Sequence, residues 1–96
     1  MYSVADIQKI ITPIADKYGV ERVYLFGSYA RGENTAKSDV DLRIDRGQVR
    51  GMQMAFLLSD LEDALQLPVD LLSTKALDAQ FLQSIRGEER LLYERV

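Results

Sequence analysis

Apolar residues near the start of the chain recur at the spacing of one helix face, which predicts an N-terminal amphipathic helix. The stripe consists of Val4, Ile7, Ile11, Ile14 and Tyr18. Ser3 and Asp6 stand three residues apart and predict a capping pair at the helix start. Residues 22–26 (RVYLF) are apolar on both faces and end at a glycine. This pattern predicts a buried central strand.

Residues 39–45 alternate strictly between polar and apolar side chains, which predicts a strand with one buried face. The apolar face consists of Val40, Leu42 and Ile44, and the polar face of Asp39, Asp41 and Arg43. A polar loop over residues 32–38 precedes this strand. A second helical stripe follows, formed by Met54, Leu57, Leu58, Leu61 and Leu65.

After Pro68, residues 69–72 predict a compact strand that contains Asp70. Ser73 or Thr74 then predicts the cap of a third helix. Its apolar face consists of Leu77, Phe81, Leu82 and Ile85. Residues 91–93 predict a short last strand. Together these elements predict an α+β fold with a mixed sheet of about four strands and helices packed on one face.

The composition excludes several classes of catalytic and binding site. Ninety-six residues predict one domain, 1–96. The chain has no Cys and no His, which excludes thiolate nucleophiles, imidazole bases and Zn²⁺ sites of the usual kind. Its net charge of −3 gives no basic footprint for duplex nucleic acid. We find no signal peptide or run of membrane-spanning length, and expect a cytoplasmic protein without a membrane partner.

Gly27 and Ser28 follow the first predicted strand and are candidates for binding phosphate. Glycine lets the backbone approach a ligand closely, and the turn after a strand offers free amides and here a hydroxyl. On these two residues alone, an ordinary turn is the more frequent explanation.

Asp39, Asp41 and Asp70 are candidate metal ligands. Residues i and i+2 of a strand project to the same face, so the carboxylates of Asp39 and Asp41 point the same way. Oxygen-only ligands favour Mg²⁺ or Mn²⁺ over Zn²⁺. If the strand of Asp70 lies beside theirs, the three acids suit a two-metal site for phosphoryl transfer. A solvated strand face or an ordinary salt bridge is the alternative for each acid taken alone.

The combined pattern GSYARG, SDVDLRID and VDLLS resembles the minimal nucleotidyltransferases of the DNA polymerase beta-like nucleotidyltransferase superfamily. Ten residues separate Ser28 from Asp39, which fits the spacer of about ten residues in the signature of that superfamily. The resemblance covers nearly the whole chain. It implies that Gly27 and Ser28 contact a triphosphate and that Asp39 and Asp41 ligate two Mg²⁺ ions. Asp70 would ligate the catalytic ion and stand at or next to the base.

The same resemblance implies a supporting role near the phosphates for Arg31, for which a surface salt bridge with Glu33 is an equal alternative. Minimal nucleotidyltransferases often form toxin–antitoxin pairs with HEPN-domain proteins, and some transfer AMP from ATP to a tyrosine of the HEPN toxin. The resemblance therefore implies an antitoxin enzyme of this kind. Two other functions stay open at this point: an antitoxin that acts by binding alone, and a nucleotidyltransferase of small molecules.

Overall fold

The computed structural model describes residues 2–96. The chain alternates helices with strands in the predicted order. The elements are α1 (Val4–Tyr18), β1 (Arg22–Phe26), α2 (Gly27–Arg31), β2 (Val40–Asp45), α3 (Gln53–Leu65), β3 (Val69–Ser73), a 3-10 turn (Thr74–Ala76), α4 (Ala79–Ile85) and β4 (Arg90–Glu94). None of the helices in this described part has the length and apolar character needed to cross a bilayer.

The four strands form one mixed sheet in the order β3-β2-β1-β4. Strand β1 pairs antiparallel with β2 on one side and with β4 on the other. Strands β2 and β3 run parallel. This arrangement confirms the predicted α+β fold and the central position of β1.

Helices α1 and α3 pack on one face of the sheet, where their apolar stripes meet the alternating strand residues. The buried residues of this layer include Ile7, Ile11, Leu57, Leu61 and Leu65 from the helices, and Val23, Leu25, Val40, Leu42 and Ile44 from the strands. Burying each large aliphatic side chain contributes about 1.5–3 kcal/mol. The predicted capping pair is confirmed, because Ser3 and Asp6 exchange side-chain-to-backbone hydrogen bonds at the start of α1.

The third helical prediction was wrong about where the helix begins. Residues 74–76 form a 3-10 turn, and α4 starts five residues later than Thr74. Asp78 caps it by accepting a hydrogen bond of 2.7 Å from the backbone N–H of Phe81. The hydroxyl of Thr74 instead donates to the carbonyl of Ile44. A long-range bond to the neighbouring strand therefore replaces the local cap.

The second face of the sheet carries a buried ion pair. Arg43, predicted on the polar face, is only 8% exposed. Its guanidinium makes hydrogen bonds of 2.8–3.1 Å to the carboxylate of Glu89 and lies 3.9 Å from the ring centre of Tyr24. On the same face Phe81 of α4 meets Phe26 edge to face, with 5.9 Å between ring centres. Side chains from the last third of the chain thus cover part of this face.

Candidate active site

The predicted acids lie at the end of the sheet where β1 stops and β2 and β3 begin. Phe26 pairs with Asp41 across the antiparallel ladder, and Asp41 pairs with Asp70 across the parallel one. Directly paired residues project to the same face of a sheet, so Asp41 and Asp70 are neighbours there. Asp39 comes immediately before β2, two residues from Asp41. The fold therefore brings all three acids to the same end of the sheet. We call this end, with Asp39, Asp41 and Asp70, the acidic edge.

Gly27 touches this edge directly. It begins α2 without any linker after β1, and its φ of 75° is one that side-chain-bearing residues rarely adopt. A Cβ atom built on Gly27 would overlap the Oδ2 oxygen of Asp41. Glycine is therefore required here both by the backbone conformation and by the close approach of the Asp41 carboxylate.

Ser28 lies in the first turn of α2, next to this contact. Phe26 occupies the N-cap position and supplies no side-chain hydrogen bond to the amides of that turn. Amides at a helix start are oriented toward anions and carry partial positive charge. Ser28 and these amides therefore directly follow the residue that lies against Asp41, and they are the candidate phosphate-binding groups of the site.

The carboxylates influence one another. Burial raises the pKa of Asp41 above its ordinary value, and the nearby charges of Asp70 and Asp39 raise it further. Arg31 acts in the opposite direction. Asp39 and Asp70 are themselves exposed, although Asp70 lies among the apolar residues of β3. Asp70 lies on the outer strand of the sheet, where one face is open to water.

The donor chemistry of this edge suits a divalent cation. Carboxylate oxygens are hard ligands, and a cation would offset the repulsion that raises the pKa of Asp41. Within residues 2–96, however, no three acidic side chains are already drawn together at ligating distance. Like charges favour separated carboxylates, and the exposed side chains of Asp39 and Asp70 have freedom to turn toward an ion.

Arg31 forms ion pairs with two carboxylates. Its Nε donates to Glu33 at 2.9 Å and its Nη1 donates to Glu88 at 2.9 Å. The salt bridge with Glu33 is therefore present, and Arg31 also acts on Asp41 across the site. In the sequence, Glu88 lies in a charged stretch near the C-terminus that gives no indication of a role. No local pattern indicates that β4 returns beside β1 and brings Glu88 to this site.

Removing the charge of Asp41 should stabilise the protein when no metal is present. The folded-state pKa of Asp41 lies above its unfolded value of 3.8, so ionisation on raising the pH costs stability. We expect Asp41→Asn to raise the melting temperature at pH 7 in EDTA. That gain should shrink as the pH falls through the folded-state pKa and disappear below 3.8, where Asp41 is protonated in both the folded and the unfolded wild type. Thermal denaturation across this pH range measures it.

The matched control is Asp63→Asn, which removes an equal charge from an exposed position on α3, away from the sheet. It should shift the melting temperature far less than Asp41→Asn at pH 7. A lower melting temperature for Asp41→Asn than for the wild type at pH 7 would contradict the electrostatic description of the site.

Comparison with known sequences shows which family this chain resembles. The family described as polymerase beta, nucleotidyltransferase matches residues 8–96. A relative in Methanocaldococcus jannaschii that bears the name of a protein adenylyltransferase is 33% identical, and the match covers 97% of this chain and 99% of the relative. The protein adenylyltransferase MntA of Thermococcus cleftensis is 30% identical, with 92% of this chain and 94% of the relative covered.

Solved structures share the fold. A crystal structure of a toxin–antitoxin with AMP-PNP superposes with a TM-score of 0.78 at 22% identity, covering 92% of this chain and 73% of that one. A tri-AMPylated HEPN toxin of Shewanella oneidensis in complex with its MNT antitoxin gives a TM-score of 0.70 at 20% identity, covering 93% and 71%. The extent of the family match and the identity of the relatives decide membership: the chain belongs to the polymerase beta nucleotidyltransferase family.

Proposed function

We propose that this protein is an antitoxin enzyme that transfers AMP from ATP to a tyrosine hydroxyl of a partner HEPN toxin. Two kinds of comparison support the proposal. Relatives that match almost the whole chain are named protein adenylyltransferases. Proteins of the same fold are found in complexes with a toxin, one of them an AMPylated HEPN toxin.

One observation in the structure carries the proposal: the backbone of Gly27 lies against the carboxylate of Asp41, which is paired with Asp70 on the next strand. This contact joins the phosphate-binding turn to the acidic edge without an intervening side chain. A triphosphate held by Gly27 and Ser28 would therefore lie directly beside the acids. Such proximity is what in-line transfer of a nucleotidyl group requires.

Each residue has a distinct role in this reaction. The amides of α2 and the Ser28 hydroxyl bind the phosphates that leave as pyrophosphate. Asp39, Asp41 and Asp70 would hold Mg²⁺, with two ions expected and Mn²⁺ as a substitute. The bound cation would offset the charge that develops on the phosphate oxygens. Asp70 faces solvent and accepts, or lies next to the group that accepts, the proton of the attacking tyrosine hydroxyl.

Arg31 supports the phosphates in this proposal. It already lies close enough to influence Asp41, and its guanidinium carries donors on several nitrogens while it pairs with Glu33 and Glu88. A phosphate oxygen can therefore be bound beside these ion pairs or in exchange for one of them. Because ATP is the donor, we place the reaction in the cytoplasm.

Co-expression with the product of the adjacent gene, which this proposal expects to be a HEPN protein, followed by intact-mass measurement of that product, tests the proposal. We expect the partner to gain the mass of one or more adenylyl groups, and purified components to repeat the transfer with Mg²⁺ and ATP. Transfer should stop when EDTA replaces Mg²⁺. Labelling that survives replacement of the acceptor tyrosines by phenylalanine would contradict the proposal that tyrosine is the acceptor. A partner that gains no adenylyl group would contradict the transferase activity itself.

A further inference from the structure

A polar cavity lies at the opposite end of the sheet from the acidic edge. It has a volume of about 560 Å³ and opens where β2 ends and β3 has just passed into the 3-10 turn. Three basic side chains line it: Arg46, Arg50 and Lys75. Asp41 and Asp70 stand at the start of their strands, so this cavity is separated from them by the length of the sheet.

None of these three basic residues has a carboxylate partner among residues 2–96. The Nε of Arg46 is buried and makes no hydrogen bond in this described part. Arg50 uses its Nη1 to donate to the carbonyls of Gly47 and Val49, at 2.8 and 3.1 Å, which holds the side chain in place without neutralising it.

The acidic residues of the cavity leave an excess of positive charge. Asp45 is already paired with Arg22 at 2.9 Å and lies 3.8 Å from Arg43. Glu21 is the remaining carboxylate in the lining. Three cations against the two acids of the lining leave a net charge of one positive, which favours an anionic ligand. The many N–H donors of two arginines and a lysine suit the several oxygens of a phosphate group.

An apolar groove adjoins the cavity and shares Arg46 and Lys75 with it. Its other lining residues include Met54, Leu71 and Leu77. A ligand whose phosphate lies in the cavity would therefore extend its remaining part over apolar side chains. The cavity volume falls in the range of pockets that take small molecules, which favours a free ligand over a protein segment.

We propose that this cavity is a second ligand site, which binds a small phosphomonoester with an apolar or aromatic group. Arg46, Arg50 and Lys75 bind the phosphate, and the groove beside Leu71 and Leu77 receives the apolar part. The site is separate from the acidic edge and needs no metal ion. It therefore goes beyond nucleotidyl transfer.

Titration calorimetry of the full chain in EDTA and low salt tests this site with phenyl phosphate as the probe. We expect phenyl phosphate to bind about tenfold more tightly than inorganic phosphate, because its ring buries apolar surface in the groove. Arg46→Gln should weaken binding about tenfold or more, since it removes charge-assisted hydrogen bonds. Raising the salt concentration should weaken binding in the wild type.

Arg86→Gln is the matched control, because it removes the same charge from an exposed arginine outside the cavity; its binding should equal that of the wild type. Asp41→Asn should also bind normally, which separates this site from the acidic edge. Lys75→Gln, at an exposed position, tests the cavity if Arg46→Gln fails to fold. Absence of binding to the wild type, or equal binding by Arg86→Gln, Arg46→Gln and Lys75→Gln, would overturn the proposal.

Discussion

Replacing both Asp39 and Asp41 by alanine should abolish AMP transfer to the partner toxin while the two proteins still form a complex. The substitutions remove two of the three acids at the edge beside Gly27, and with them the ligands of the proposed cations. Loss of several kcal/mol of charge stabilisation corresponds to a decrease in rate of about a thousandfold or more. Transfer is measured by intact mass of the partner, and complex formation by co-purification.

The same variant separates an enzymatic antitoxin from one that acts by binding alone. If transfer neutralises the toxin, cells that express the toxin with the double variant should stop growing although the complex forms. Asp63→Ala, at an exposed acid of α3, is the control and should protect cells as the wild type does. Growth rescue by the double variant would establish masking by contact, and would refute the need for catalysis.

Gly27→Ala should both destabilise the protein and impair ligand binding at the acidic edge. The added methyl group would overlap the Asp41 carboxylate, and alanine would also have to adopt a φ of 75°. We expect a loss of about 3 kcal/mol in the free energy of unfolding, from overpacking and left-handed strain together. The stabilisation that Mg²⁺ and ATP give to the wild type should disappear as well, because Asp41 must move away from the phosphate-binding turn.

Gly32→Ala provides the matched control for this prediction. Gly32 has nearly the same φ, 73°, and an added Cβ would meet no atom within 4 Å. It should therefore cost only the backbone strain, about 1 kcal/mol, and keep the stabilisation by Mg²⁺ and ATP. Denaturant unfolding with and without ligand measures both variants. Equal losses in the two variants would show that the contact with Asp41 has no part in the effect.

The elements with strong periodicity could be predicted from the sequence. The stripe of α1 and the alternation of β2 are enforced by burial on one face, which is a local property of the pattern. The start of α4 could not be predicted, because the Thr74 hydroxyl donates a hydrogen bond to the carbonyl of Ile44 on the neighbouring strand. No local pattern in the sequence indicates that contact. Asp78, and not Ser73 or Thr74, caps α4 in the packed structure.

Of the candidate site, too, one part could be predicted from the sequence and another part could not. The sequence by itself determined which residues are eligible: the lack of His and Cys leaves carboxylates, and the spacing of Gly27, Ser28, Asp39 and Asp41 indicates the family. It also predicted that Asp70 lies in a strand. Whether the strand of Asp70 lies beside that of Asp41 depends on strand order, which the local pattern does not encode.

Only the tertiary structure decided what surrounds those residues. The close approach of Gly27 to Asp41, the pairing of Arg31 with Glu88 and the burial of Arg43 on Glu89 all join segments distant in the chain. Such contacts form when burial of the apolar stripes fixes the strand register, and polar side chains then find partners across the finished sheet. Periodicity determines the secondary structure elements of this protein, and their packing determines which charges meet.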